Sequence, residues 1–269
     1  MTETAALDFA AIGLAAAESD NLQIDKEFER ELPKECVALL RILSYVELGR
    51  HQGSNTAYKP SLQAILTFEL NHPKHLIEID GKKVPQIKKL YLNKADGGKS
   101  IYKKVFNQIN RALGGKHQGF LSMIGSALMG TIYHNKSEDG KKVYANFDVK
   151  GQFDFKAPVT LDPVSEVETK VAIAELSGTP TGFLWNNTTL NEEESGASIK
   201  AMWESIFIDG TRTDKDGKEV SKNWVQESIM ENLEWEGSVT QALVQEHISL
   251  DAPEEDLPTE PAVEDLPVL

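Results

Sequence analysis

Residues 35–49 read ECVALLRILSYVELG and residues 62–70 read LQAILTFEL, with HQGSNTAYKP between them at 51–60. In the second stretch Leu62, Ala64, Leu66, Phe68 and Leu70 fall on one face of an extended chain. Gln63, Ile65, Thr67 and Glu69 fall on the other, the period-two signature of a strand buried mainly on one side. The first stretch alternates less cleanly, but its β-branched and aromatic content predicts a strand over 36–48 that ends at Gly49. The Gly, Ser, Asn and Pro between them read as a loop.

Working outward, NHPKHLIEIDGKKVPQIKKLYL (71–92) reads as an excursion with a turn at Asp80–Gly81 and a short strand from Ile87 to Leu92. The period then changes. In SIYKKVFNQINRAL (100–113), Ile101, Val105, Ile109 and Leu113 recur every four residues and predict a helix, with Ser100 as cap and Gly114 as stop. Phe120–Leu128 reads as a second short helix. GTIYHN, a SEDGKK turn and VYANFDV form the strongest hairpin signal, over 130–149. Residues 150–183 read as a wrap around the core, GFLWNN as a short strand or anchor, and NEEESGA (191–197) as a polar loop. Helices are expected at 198–207, 223–235 and 238–247, the last capped by Ser238 and pairing with its predecessor as an α-hairpin. The fold class expected is α+β, a small β-barrel with inserted helices and a C-terminal helical or irregular extension. The five-stranded oligonucleotide-binding (OB) barrel is one such solution, and periodicity alone does not choose it over other α+β arrangements.

The chain has 269 residues and a formal net charge of −14, which taken whole argues against a polyanionic ligand. The charges are sorted along the chain, however. Residues 34–156 hold 20 Lys or Arg against 10 Asp or Glu, while the remainder holds 8 against 32. Four segments follow: a partly helical or disordered leader (1–33), a basic core (34–156), an extension packing on it (157–250) and an acidic tail (251–269). The tail, DAPEEDLPTEPAVEDLPVL, has seven acids, no basic residue and four prolines, a composition that opposes collapse. The single cysteine, Cys36, excludes an internal disulfide. The absence of a long apolar run or a basic N-terminal region points to a cytoplasmic protein.

The densest basic stretch contains Lys82, Lys83, Lys88, Lys89, Lys94, Lys99, Lys103, Lys104, Arg111 and Lys116, opposed only by Asp96. Aromatic residues are interleaved: Tyr91, Tyr102 and Phe106, with Tyr45 and Tyr58 upstream and Tyr133 and Tyr144 in the hairpin. Distributed cations neutralise phosphates and aromatic faces stack bases, the pairing used by single-strand binders. Phe106, on the apolar helical stripe, reads as core rather than stacker. The expected contacts are these lysines, Arg111 and tyrosines, together with Arg50 and Lys59. Lysine outnumbers arginine, favouring backbone attraction over base reading.

The ending EDLPVL resembles the acidic tips of bacterial and phage single-stranded DNA-binding proteins. SYVELGRHQG (44–53), LTFEL (66–70), IEIDGKKVP (77–85) and IYHNKSEDGKKVYANF (132–147) resemble phage-encoded proteins of the OB type. The resemblance implies sequence-independent binding and protection of single-stranded DNA during replication, recombination or repair. It also implies recruitment of partner proteins by Glu264, Asp265, Leu266, Pro267, Val268 and Leu269. The terminal phenylalanine usual in such tips is absent here.

No phosphate-binding loop, H-E-x-x-H or C-x-x-C is present, and ADGGKS (95–100) lacks the loop spacing. His72 and His75 flank Pro73, a spacing that joins a metal site only with distant ligands, and the reading preferred for them is exposed loop histidines. The expectation is therefore a non-enzymatic protein with no cofactor or metal. The alternatives are a protein-interaction adaptor or inhibitor, and a metal-dependent nuclease or recombination enzyme built on scattered carboxylates.

Overall fold

The computed structural model describes residues 31–53, 57–79, 81–95, 97–98, 100–137, 139–186, 192–214 and 217–251. The chain divides between Leu32 and Pro33. The unit beginning at Pro33 is mixed α+β and dominated by a curled antiparallel half-barrel. The leader at 1–30 and the acidic tail beyond 251 lie outside the described residues, as do Asp80 and Lys99.

Cys36–His51 forms one 16-residue strand, β1, and Ser61–Leu70 forms β2. They pair antiparallel from Leu40–Leu70 to His51–Ser61, with register shifts between Ile42 and Ser44 and between Glu47 and Gly49. The first shift explains the imperfect alternation of the sequence. A bulge places one extra residue in a strand and reverses which side chains face inward. Ala38, Leu40 and Ile42 face the inner core, Tyr45 takes the inward place after the shift, and Val46 and Leu48 turn to the opposite face.

Leu76–Ile79 (β3) and Lys82–Asn93 (β4) form a hairpin, and β4 pairs along the free edge of β2. The excursion expected at 71–92 is thus a full 12-residue strand rather than a short one. On the other side of β1, Ala127–Lys136 (β5) pairs with Cys36–Arg41 and carries the hairpin strand Val143–Asn146 (β6). Asp148–Val149 (β7) and Gln152–Phe153 (β8) form a small pair, and Phe155–Lys156 (β9) returns to β5. Ile101–Ala112 (α1) is the expected helix, with Val105 and Ile109 buried. Ser100 makes no side-chain cap bond, and its hydroxyl is buried without a partner. Gly114, at φ +90°, stops the helix as expected. The second helix expected at 120–128 is only a short turn at Phe120–Met123. Gly125 at φ +81° breaks it, and its amide donates to the Ile42 carbonyl at the bulge.

Leu66, Phe68, Leu70, Leu92, Leu128, Ile132, Phe147 and Phe155 fill the concave side beneath α1. Each large apolar side chain so buried contributes about 1.5–3 kcal/mol relative to exposure.

The outer face of the sheet is covered by the C-terminal half. Val159–Leu161 (β10) and Glu168–Lys170 (β11) pair with each other. Thr181–Phe183 (β12) then adds parallel to β1 at Ser44–Val46. Glu192–Ser205 (α2) begins within the polar stretch expected to be a loop. Thr211–Thr213 (β13) and Glu219–Ser221 (β14) form a hairpin. Trp224–Met230 (α3) is shorter than expected, and Val239–Asp251 (α4) packs against α2 rather than making a hairpin with α3. Ser238 does cap α4, its hydroxyl accepting the Gln241 amide. Phe183, Trp185, Ile199, Ile206, Ile229, Trp235 and Val244 enclose Val46, Leu48 and Ile65 in a second core. Among the described residues no helix is long and apolar enough to cross a membrane.

Polar side chains of the sheet hold this cover in place. Glu69, fully buried, accepts the Ser177 and Gly178 amides and the Ser177 hydroxyl. Arg41 donates to the carbonyls of Gly125, Ile173 and Ala174. Glu47 accepts from the Tyr45 hydroxyl (2.8 Å), the Lys94 ammonium (2.7 Å) and the Trp185 amide (3.2 Å). Replacing one partner of a buried hydrogen bond costs about 1–3 kcal/mol. Glu47→Ala is expected to lower unfolding free energy in urea by that amount. Glu175→Ala, which removes a solvent-exposed partner of Arg41, should stay within about 0.5 kcal/mol of the parent.

Candidate nucleic-acid interface

Strand β4 carries the centre of the basic stretch, and its unbroken register sorts the residues onto two faces. Lys82, Val84, Gln86, Lys88, Leu90 and Leu92 alternate with Lys83, Pro85, Ile87, Lys89 and Tyr91. Leu90 and Leu92 belong to the inner core, so Lys88 shares the inward face with them. Burial lowers the pKa of its amine from the ordinary lysine value. On the opposite face the Lys89 ammonium sits 4.1 Å from the centre of the Trp224 ring, which packs with the second core. Of the strand's lysines, Lys82 and Lys83 at its start are exposed, whereas Lys88 and Lys89 are half-buried.

The tyrosines divide in the same way. Tyr45 is 1% exposed, stacks on Phe120 at 5.1 Å and donates its hydroxyl to Glu47. Burial, and then the Glu47 carboxylate, push its phenol far above the ordinary tyrosine range. Tyr102 packs against the same core, its hydroxyl 2.9 Å from that of Tyr45. Both were expected as base platforms; Tyr45 is a core residue, and Tyr102 is held against the core. The bulge turned Tyr45 inward, and the helical stripe brought Tyr102 to meet it. Phe106 also packs on Phe120, as its place on the stripe implied. Tyr58 and Tyr91 are 72% and 63% exposed.

Tyr58 lies three residues before β2, and Tyr91 two residues before the end of β4. Gln63 pairs with Asn93, the Ser61 hydroxyl donates to the Asn93 side chain at 3.2 Å, and the Lys94 amide donates to Leu62. The register therefore brings Tyr58, Lys59 and Tyr91 to one end of the β2–β4 pair. Arg50 reaches the same end but is engaged by Glu234 at 2.6 Å and by the Pro60 carbonyl. Lys94 is likewise engaged by Glu47.

The remaining basic residues lie elsewhere. Lys104 and Arg111 are exposed on α1, Lys103 is half-buried there, and Lys116 borders an open depression with His117 and Leu121. In the β5–β6 hairpin, Tyr144 opposes Asn135 and is 48% exposed. Tyr133, paired with Asn146, is its half-buried diagonal neighbour. Lys141 and Lys142 are exposed in the hairpin turn, outside the densest basic stretch. His75 is also more deeply placed than its loop sequence implied: it is fully buried, and burial lowers the pKa of its imidazole.

The inward position of Lys88 has a pH signature. A lysine with a depressed folded pKa binds its proton more weakly in the folded state than in the unfolded one, so stability rises with pH from that value toward about 10.5. Lys88→Met should remove this rise and be at least as stable as the parent at neutral pH, as read by urea unfolding across pH. An unchanged slope would place the amine in solvent. Comparisons with protein-family models, curated proteins and solved structures find no match to this chain.

Proposed function

We propose that this chain binds single-stranded DNA without sequence preference, by phosphate attraction and base stacking. The carrying observation is that Tyr58 and Tyr91, the two most exposed of the expected tyrosines, are brought with Lys59 to one end of the β2–β4 pair. Base–aromatic stacking needs no particular base, and nearby lysines attract the backbone.

The strand order supports this reading. β4, β2, β1, β5 and β6 lie side by side, with α1 between β4 and β5 in sequence. We read β1, β2, β4, β5 and β6 as the five strands of a partly open OB barrel, with β3 an added hairpin strand. In that fold the second and third strands and two flanking loops form the usual binding surface. The loops are then 52–60, with Tyr58 and Lys59, and the β5–β6 turn, with Lys141 and Lys142. The C-terminal cover occupies much of the outer face of the sheet, through Trp224 beneath Lys89 and Ser177 and Gly178 on Glu69. The strand path is therefore confined to the end carrying Tyr58 and Tyr91 and to the edge carrying Lys82 and Lys83. The acidic tail competes with DNA for these lysines, and its EDLPVL tip recruits replication or recombination proteins.

Fluorescence anisotropy with labelled oligothymidylate tests the reading. Affinity should fall with salt, with a log–log slope of about −0.7 per phosphate neutralised. Tyr58→Ala and Tyr91→Ala should each weaken binding by about 1–3 kcal/mol. Tyr45→Phe, altered only in the core, should bind as the parent does. Absence of binding at low salt, even after removal of residues 252–269, would end the proposal. The same truncation should tighten binding at low salt, and the gain should fade as salt screens the tail. An affinity unchanged by truncation removes the tail from the mechanism.

A further inference from the structure

The turn after β2 places two imidazoles beside the only thiol of the chain. His72 caps the 3-10 turn Pro73–His75 and His75 ends it, and three residues per turn bring both rings to one side. Their centroids are 5.6 Å apart. The Asn71 amide donates to the Leu39 carbonyl, which lays this turn along the start of β1. Cys36, the first residue of β1, then comes within 3.6 Å of His75 Nε2. One donor atom from each of Cys36, His72 and His75 lies within 4.8 Å of the others.

The hydrogen bonding of His75 distinguishes this cluster from a chance gathering. The ring is fully buried, and Nε2 lies 2.9 Å from the Lys34 carbonyl. A carbonyl only accepts, so Nε2 carries the proton. That leaves the lone pair on Nδ1, a buried atom with no hydrogen-bond partner. Buried polar atoms rarely stay unpaired without a purpose. A ring whose N–H is fixed by a backbone carbonyl while its other nitrogen is free is oriented as metal-ligating histidines are.

We propose that Cys36, His72 and His75 bind a zinc ion. One thiolate and two imidazoles suit this borderline-soft cation, and the set contains no carboxylate to favour calcium or magnesium. Zinc–sulfur and zinc–nitrogen bonds of about 2.3 and 2.0–2.1 Å put tetrahedral donors roughly 3.3–3.6 Å apart. The Cys36 thiol now faces Nε2 at 3.6 Å, so closing the set on one ion turns the half-buried Cys36 and His72 side chains toward the Nδ1 edge of the His75 ring. His72 Nδ1 now accepts the Lys74 amide at 3.1 Å on the exposed side of the turn, a bond that solvent replaces. Water fills the fourth position. The ion ties the start of β1 to the β2–β3 connection and satisfies the orphaned nitrogen. Cys36 is the distant ligand that the His72–His75 spacing lacked.

The test uses the full, untagged chain stripped of metal, and the variants Cys36→Ser and His72→Ala. Both alter half-buried side chains and leave the buried His75 intact. Zinc is titrated against a chromophoric chelator, and cobalt serves as the spectroscopic probe. The expected result is one equivalent of zinc, a higher melting temperature with zinc, and a cobalt spectrum with a thiolate charge-transfer band. Cys36→Ser should lose that band, and each variant should bind zinc at least about tenfold more weakly. Circular dichroism of the metal-free proteins should superimpose. No stoichiometric zinc in the parent, or parent-like affinity in either variant, overturns the site. The second outcome would assign the ion to acidic segments instead. Neither result bears on oligonucleotide binding at Tyr58 and Tyr91.

Discussion

The carboxylate of Glu47 is where the two layers of this protein are joined. It is buried in the middle of β1, where an unsatisfied charge would be prohibitive. Three groups from different parts of the fold satisfy it: the Tyr45 hydroxyl from the inner core, the Lys94 ammonium from the end of β4 and the Trp185 amide from the outer cover. None reaches Glu47 unless β1 is bulged, β4 is paired on β2 and the chain after β12 lies across the sheet. A single buried acid thus makes the half-barrel and its cover mutually dependent. Glu69 and Arg41 extend the same logic along the sheet, by holding backbone groups of 173–178 that would otherwise lack partners.

This arrangement also shapes the candidate interface. A sheet serving as a single-strand platform needs one accessible face with rings and cations together. Here the inner face is filled by its own core, and much of the outer face is occupied by the tryptophan-rich cover. The lysines of β4 are divided between them, so the basic stretch does not make one continuous stripe. Its accessible parts are the β3–β4 edge, the outer side of α1 and the loop end with Tyr58 and Tyr91. The ring–cation contact of Lys89 with Trp224 spends a lysine on packing the cover.

Some of this was legible residue by residue. The alternation in 62–70 and the four-residue period of 100–113 report local backbone geometry, because each strand or helix buries its own stripe. Gly114 as a stop and Ser238 as a cap are equally local. The misreadings share a physical cause. The alternation of 35–49 was blurred by a bulge whose position depends on pairing with β2, and that bulge turned Tyr45 from an expected platform into core. The apolar run 120–128 reads as helix by its composition, but its last two residues, Ala127 and Leu128, begin β5, and their partners Arg41 and Leu40 lie more than 80 residues away. Cys36 and His75 are 39 residues apart, and only the β1–β2 pairing closes that loop.

The amino-acid order alone therefore determined the local periods, the turns and the segregation of charge into a basic middle and an acidic end. These follow from side-chain chemistry at short range. Tertiary structure decided which face each strand buries, which lysines remain in solvent, which tyrosines keep a free ring and which histidine meets the cysteine. Those outcomes depend on register, bulges and the cover laid over the sheet, which are contacts between residues distant in the chain.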